Sequence, residues 1–189
     1  MFPPNFIVKY WKLQKLWIFY EKYPNFKLTK LTKWEYFFVY TLFLHFVAEK
    51  AKINAEYYVN NLLPGLIGDC QNLAPNNNFI FQQDGAPAHT SRLAQEWLEQ
   101  NTPDFIKKDE WPPNSPDLNP LDFHIWGAML EKYRADIPKP SNKTELKIVL
   151  EVIWNDFPQE PIKKAVLAFR KRLQACIRAD GGRFEHLLS

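Results

Sequence analysis

An α/β fold is what this sequence predicts, and three observations predict it. Phe79-Ile80-Phe81 is a short, wholly apolar run between turn formers, the pattern of a strand buried on both faces. Towards the C-terminus, Ile162, Val166, Phe169, Leu173 and Cys176 recur at helical spacing on one face. Between such runs, strand-like and helix-like stretches alternate, the order in which a sheet acquires covering helices. A chain of 189 residues has room for one ordinary domain, and no internal repeat divides it.

Taken in order, residues 1–33 scatter Phe6, Tyr10, Trp11, Trp17, Phe19, Tyr20, Tyr23 and Phe26 among lysines with only a loose helical period. Weak helix or irregular structure is expected there. Trp34–Ala48 is the most apolar stretch, 15 residues that include Glu35 and His45. A bilayer span needs about 20 mostly apolar residues, so buried strands are expected instead, with Leu42–Val47 the clearest. Asn54 is an N-cap candidate for a helix holding Tyr57, Tyr58, Asn61 and Leu62, with Pro64-Gly65 near its end. Asn76-Asn77-Asn78 is a turn, and the strand Phe79–Phe81 ends at Gln82-Gln83-Asp84-Gly85. Ser91 caps a helix containing Leu93, Ala94, Trp97 and Leu98. Phe105–Lys107 reads as another strand, and a Pro-rich run follows from Trp111 to Pro120. Two helices close the chain. The first carries Leu146, Val149, Leu150, Ile153, Trp154 and Phe157; the second carries the Ile162–Cys176 stripe, and Gly181-Gly182 stops it.

Composition narrows the function. Two Cys exclude a disulfide scaffold and a four-Cys zinc module, and fit a reducing compartment. Fifteen Pro against six Gly argue against a P-loop. The N-terminus lacks the compact apolar core and small-residue cleavage site of a secretory signal, and no membrane association is expected. Net charge is +3, too small by itself to mark a nucleic-acid binder. It is unevenly placed, however. Residues 1–50 hold eight Lys, no Arg and three Glu, which is +5 and leaves −2 for the rest. That shift suggests a boundary, with 1–41 an N-terminal segment of its own and 42–189 a separate domain.

Two carboxylates stand out. Asp84 falls just past the C-terminal end of the buried strand, where open α/β sheets present ligand groups. Gly85 would let the chain turn sharply, and Pro87 would stiffen its exit. A carboxylate fixed there suits a hard, oxygen-liking cation such as Mg²⁺. Asp122 falls in a helical first turn, because Asn119 is a good N-cap and Pro120 fits the first helical position. The helix dipole favours an ionised carboxylate there. Asp117 precedes that start and reads as a turn former.

The stretch from Gln82 to Ser91, Gln82-Gln83-Asp84-Gly85-Ala86-Pro87-Ala88-His89-Thr90-Ser91, resembles the second catalytic block of mariner-type DNA transposases. The stretch from Trp111 to Trp126, including Ser115-Pro116-Asp117-Leu118-Asn119-Pro120-Leu121-Asp122-Phe123-His124, resembles the third. Thirty-seven residues separate Asp84 from Asp122 (122 − 84 − 1), the interval of a subgroup whose last acid is Asp. Lys52–Tyr58 resembles the family's link into its first helix. The resemblance runs from about Leu42 to the C-terminus. It implies a ribonuclease H-like fold in which three carboxylates hold two Mg²⁺ or Mn²⁺ ions for DNA strand cleavage and transfer. Asp84 would be the second catalytic, metal-binding carboxylate and Asp122 the third; His89 and His124, near them in sequence, are read as hydrogen-bonding or packing groups, with a direct ligand role the alternative. DNA is the implied partner, a second copy or a full-length transposase a further one, and the nucleus the implied location.

The family's first catalytic Asp is not found. The earliest Asp in the chain is Asp69, and the acids before it are Glu21, Glu35, Glu49 and Glu56, none in a matching context. The expectation is therefore an incomplete fold with its first strand missing or replaced, no room for the family's end-reading helix-turn-helix region, and a truncated, inactive transposase catalytic domain. An active nuclease in which an upstream Glu substitutes, and a non-enzymatic interaction protein, are the alternatives. Loss of the strand would leave exposed sheet edges, which the aromatic segment 1–40 either covers in part or leaves unpacked, and a marginally stable or aggregation-prone protein is expected. Lys163, Lys164, Arg170, Lys171, Arg172, Arg178 and Arg183, on the last helix and its exit, are read either as a phosphate-contacting face or as an ordinary solvated one.

Overall fold

The computed structural model describes residues 17–19, 44–48, 51–74, 76–77, 79–112, 115–135 and 139–188. They fall into two compact units, one within Lys12–Asn114 and one within Ser115–Ser189. Among the described residues, no helix is long and apolar enough to cross a membrane.

The first unit is a small sheet with helices. Its strands are β1 (Trp17–Phe19), β2 (Ile80–Gln82) and β3 (Asp104–Phe105), in the order β1-β2-β3. The apolar run at Phe79–Phe81 gives β2, displaced by one residue from its expected place, and all three β2 residues are buried. β3 lies parallel to β2, with Ile80 opposite Asp104 and Phe81 opposite Phe105. It is reached through the helix Arg92–Asn101, whose Ser91 cap accepts from the Ala94 N–H. That strand–helix–strand passage is the α/β unit anticipated from the alternating pattern.

Several expectations fail in this unit, and the strand expected at Phe105–Lys107 lies at Asp104–Phe105. Trp17–Phe19 is a strand rather than helix or irregular chain, and it pairs antiparallel to β2 with Ile18 opposite Phe81. Trp-Ile-Phe is a β-favouring triplet, and β2 offers it an edge; β2 is thereby paired on both sides, and the N-terminal segment covers an edge that loss of a strand would leave bare. Leu44–Ala48, expected within a strand, has no regular structure. Side chains hold it instead. The His45 Nε2 donates to Asp69 Oδ2 at 2.6 Å, and the Ala48 N–H donates to the Tyr57 hydroxyl at 3.1 Å. The remainder of the Trp34–Ala48 strand expectation lies outside the described residues.

The helical column of this unit is α1 (Ala55–Tyr57), a π-helical turn (Tyr58–Leu62) and α2 (Leu63–Leu73). Asn54 caps it through the Tyr57 N–H at 2.8 Å. The column does not end at Pro64-Gly65. The π turn widens the ladder just before Pro64, and Pro64 then sits in the first turn of α2, where its missing N–H costs nothing. Gly65 has its own reason, since a Cβ there would come within 3.2 Å of the His45 ring. Tyr58, Leu63, Leu66 and Cys70 from this column pack with Phe79, Phe81, Ala94 and Leu98 into one core, each at most 1% exposed. With the Arg92–Asn101 helix as α3, the unit is complete.

The second unit is helical. It comprises a 3-10 turn (Pro116–Leu118), a π-helical turn (Leu121–Ile125), α4 (Trp126–Ala135), α5 (Lys143–Asn155), α6 (Gln159–Arg178) and a 3-10 turn (Glu185–Leu187). The α6 stripe behaves as its spacing requires: Ile162, Val166, Phe169, Leu173 and Cys176 are all buried. On α5, Leu146, Leu150 and Ile153 are buried, and Trp154 stacks on Trp126 of α4 with ring centroids 6.1 Å apart. α6 ends where Asp180 (φ 51°) and Gly181 (φ 76°) turn left-handed, and the Gly181 N–H returns to the Cys176 carbonyl at 3.0 Å.

Candidate active site

Asp84 lies two residues beyond β2 in the first unit. Its Oδ1 accepts from the Ala86 N–H at 3.1 Å, a turn in which the side chain stands in for backbone. The same oxygen is 2.6 Å from Nδ1 of His89. An ionised carboxylate can only accept, so that ring nitrogen carries the proton. His89 and Thr90 both donate their N–H to the Ala86 carbonyl, at 2.9 and 3.0 Å. The chain thus coils tightly after Asp84 and returns His89 to it. Gly85 is not what makes this possible: its φ is not left-handed, and a Cβ there would meet open space. The bond between the Asp84 side chain and Ala86 makes the bend instead.

Behind His89 is a buried polar network that sequence reasoning missed. Gln83, 4% exposed, donates from Nε2 to the His89 carbonyl at 3.1 Å. Its Oε1 accepts from the Tyr58 hydroxyl at 2.7 Å. Gln95 of α3 donates to the same His89 carbonyl at 3.0 Å. The Tyr58 ring lies against the imidazole, centroids 4.6 Å apart. Burial holds the Tyr58 phenol well above its ordinary value, and the charge of Asp84 pushes it the same way, so it remains a neutral O–H donor. The available signal was Gln82-Gln83 itself, where a wholly apolar strand turns polar while still inside the core. Buried amides must find partners.

Asp122 is in the second unit, half-buried in the first turn of the π-helical segment. The start forms as its sequence implies. Asn119 is extended and 1% exposed, its Oδ1 accepts from the Leu121 N–H at 3.2 Å, and its carbonyl accepts from Asp122 and Phe123 at 2.8 and 3.0 Å. His124 lies on the same turn, half-buried. Asp117 sits in the preceding 3-10 turn, as a turn former should. Burial raises the Asp117 carboxyl, and a hydrogen bond with Glu185 raises it further.

The basic residues separate into two groups. At 100° per residue, Lys163, Lys164, Arg170, Lys171 and Arg178 fall within an arc of about 120° on α6, the side away from the buried stripe. Exposed Leu167 sits inside that arc. Arg172 does not share it. Its Nη1 donates to the Asp117 carbonyl at 3.1 Å, and its guanidinium lies 4.1 Å from the centre of the Phe123 ring, next to Asp122.

Mg²⁺ and Mn²⁺ take oxygen ligands and favour carboxylates. Asp84, its side chain 28% exposed, and half-buried Asp122 are of the right kind and have access to water. Among the described residues, no group of three or more His, Cys, Asp or Glu side chains is placed to hold a metal ion. Of the upstream acids, Asp69 is paired with His45 and Glu56 is exposed in the first turn of α1. Glu21, Glu35 and Glu49 lie outside the described residues.

Comparison with known proteins gives these features relatives. No family model matches the chain. The Tc1 transposase of Caenorhabditis elegans is 36% identical over 103 residues, which is 54% of this chain and 36% of that protein. The Tcb2 transposase of Caenorhabditis briggsae is 33% identical over the same length, with the same coverage. The chain spans about a third of the length of these relatives. Among solved structures, the catalytic domain of Mos1 mariner transposase is similar over 78% of this chain and 71% of its own, with a TM-score of 0.60 and 24% identity. A Mos1 paired-end complex with Mn gives a TM-score of 0.64 over the same share of this chain and 42% of its own. The ribonuclease H-like architecture is therefore shared, though the strands among the described residues are short. In sequence the chain is similar to the Tc1 and Tcb2 transposases, and in fold to the catalytic domain of Mos1 mariner transposase.

Proposed function

We propose that this chain binds DNA through its catalytic-domain surface and has lost strand cleavage of its own. In this reading, Asp84 and Asp122 are each a carboxylate ligand for Mg²⁺ or Mn²⁺. The ions, when bound, would supply charge neutralisation and an activated oxygen nucleophile for in-line attack on a DNA phosphate. The chain's own residues set the two carboxylates. His89 and the Ala86 N–H fix Asp84, and the Asn119 cap fixes the turn that bears Asp122. Among the described residues, the upstream acids supply no third carboxylate: Asp69 is engaged by His45 and Glu56 is solvent-facing. Two carboxylates are poorly equipped to hold two ions about 4 Å apart.

One observation carries the reading: the second-block acid stands at the end of the central strand, locked by a histidine five residues on. DNA binding is supported by the basic arc on α6 and by the relatives, since Mos1 structures include complexes with transposon-end DNA. Incubating the protein with supercoiled and element-end DNA, in Mg²⁺ and in Mn²⁺, tests loss of cleavage. Salt-sensitive binding without nicking is expected. Robust nicking that Asp84→Ala abolishes would overturn it, and would point to one of the upstream glutamates as the replacement ligand. The basic arc suits a nuclear, DNA-facing location; a tagged full chain that stays outside the nucleus would contradict that. Pairing with a second copy or a full-length transposase would appear as a larger species in light scattering.

A further inference from the structure

The orientation of the Gln83 amide is forced by chemistry. The His89 carbonyl can only accept, so Nε2 of Gln83 must face it. Oε1 is then left facing the Tyr58 oxygen, and the phenol must donate. Tyr58 is 0% exposed, Gln83 4% and His89 7%, so water does not compete for these groups. The Tyr58 ring also presses on the imidazole, so Tyr58 acts on His89 twice, through the amide and through direct packing. His89 in turn contacts the carboxylate at 2.6 Å. The path ends in a group with greater access to water, the Asp84 side chain at 28% exposure. The path thus runs from the core to the carboxylate.

We propose that Tyr58 is a positioning residue for Asp84, acting through Gln83 and His89. It rests on the reading above that Asp84 faces a divalent cation, but the path to His89 can be tested without that reading. The hydroxyl of Tyr58 fixes the amide, the amide clamps the His89 backbone, and the ring of Tyr58 limits how the imidazole tilts. Together they hold the proton on Nδ1 and aim it at Oδ1, leaving the Asp84 carboxylate one orientation. Supporting partners of metal ligands typically matter by about 10–100-fold in metal affinity. Tyr58 acts at one further remove, so about 3–10-fold is expected.

The test uses the full chain with ¹⁵N-labelled histidine. In the wild type, NMR should show a slowly exchanging, strongly downfield His89 Nδ1 proton that Asp84→Asn removes. Tyr58→Phe should broaden or shift that resonance and weaken Mn²⁺ binding, measured with the metal alone, by about 3–10-fold. Gln83→Glu removes the donor to the His89 carbonyl but keeps an acceptor for Tyr58, and should reproduce the loss. Tyr57→Phe is the neighbouring control: its hydroxyl serves Ala48, so the His89 signal should not change. If Tyr58→Phe is folded and leaves both the His89 proton and the Mn²⁺ titration at wild-type values, the proposal is overturned. If the wild type binds no Mn²⁺ while the His89 proton still responds to Tyr58→Phe, the positioning path stands and the metal reading fails. Should Tyr58→Phe not fold, Gln83→Glu and Gln95→Ala decide, because each removes one of the two amides on the His89 carbonyl. No change in the His89 signal in either would overturn the proposal.

Discussion

Arg172→Ala separates two uses of a basic residue on α6. Arg172 donates to the Asp117 carbonyl at 3.1 Å and covers the Phe123 ring at 4.1 Å. A partly exposed guanidinium over an aromatic ring contributes about 0.5–1 kcal/mol. A hydrogen bond from a charged donor adds about 1.5 kcal/mol, at the low end because the site is partly wet. The sum is about 2 kcal/mol. For a chain of this size, 1 kcal/mol moves Tm by roughly 2–4 °C, so Arg172→Ala should melt about 4–8 °C below the wild type. Arg172→Lys should recover less than half, since an ammonium cannot lie flat on Phe123 while donating to Asp117. The DNA result should be the opposite of a phosphate contact. Each phosphate contact contributes about 0.9 to the slope of log affinity against log salt. The Lys163→Ala, Lys171→Ala double variant should lose about 1.8 of slope with Tm nearly unchanged. Arg172→Ala should keep the wild-type slope. The assay is differential scanning fluorimetry together with fluorescence anisotropy on labelled duplex DNA over a salt series. An Arg172→Ala protein with wild-type Tm and a slope reduced by about 1 would refute the assignment and place Arg172 on the DNA.

Two other outcomes follow from local geometry. Asn119→Ala removes the side-chain acceptor of the Leu121 N–H at a buried helix start; it should cost about 1–2 kcal/mol in urea unfolding and weaken any Mn²⁺ binding that depends on Asp122, whereas Asn119→Asp should retain most of the stability. At the start of α5, Glu145 takes hydrogen bonds from the Ser141 N–H and hydroxyl, which hold its carboxyl below the ordinary 4.5. A folded value below the unfolded one gives stability that is complete above pH 4.5 and is lost as pH falls through the folded value. The wild type should therefore lose stability in that acid window, and Glu145→Gln should flatten the loss; an identical acid profile for the two proteins would count against the capping arrangement.

What could be read in advance depended on whether the cause was local. Ser91, Asn54 and Asn119 cap helices because an oxygen two or three residues before a free N–H needs nothing distant to act. The α6 stripe was legible for the same reason: five apolar residues at helical spacing have one way to be buried together. Where the cause was distant, the reading failed. Nothing within Trp17–Phe19 announces β2 as its partner, and the triplet becomes a strand only because Ile80–Gln82 presents an edge. Leu44–Ala48 has strand-like residues but is held by Asp69 and Tyr57, 24 and nine residues away, which replace a ladder with side-chain bonds. The candidate site divides along the same line. Asp84 and Asp122 could be singled out from their immediate neighbours, a strand end and a helix mouth. Tyr58 could not, because it reaches Gln83 across 25 residues and looks, in its own helix, like one more buried aromatic. The carboxylates proposed to meet a cation are thus marked locally, and what holds them still is written in contacts only the fold creates. On the proposal that Asp84 meets a divalent cation, substitutions of the second kind should be the ones that shift metal affinity while leaving every recognisable motif intact.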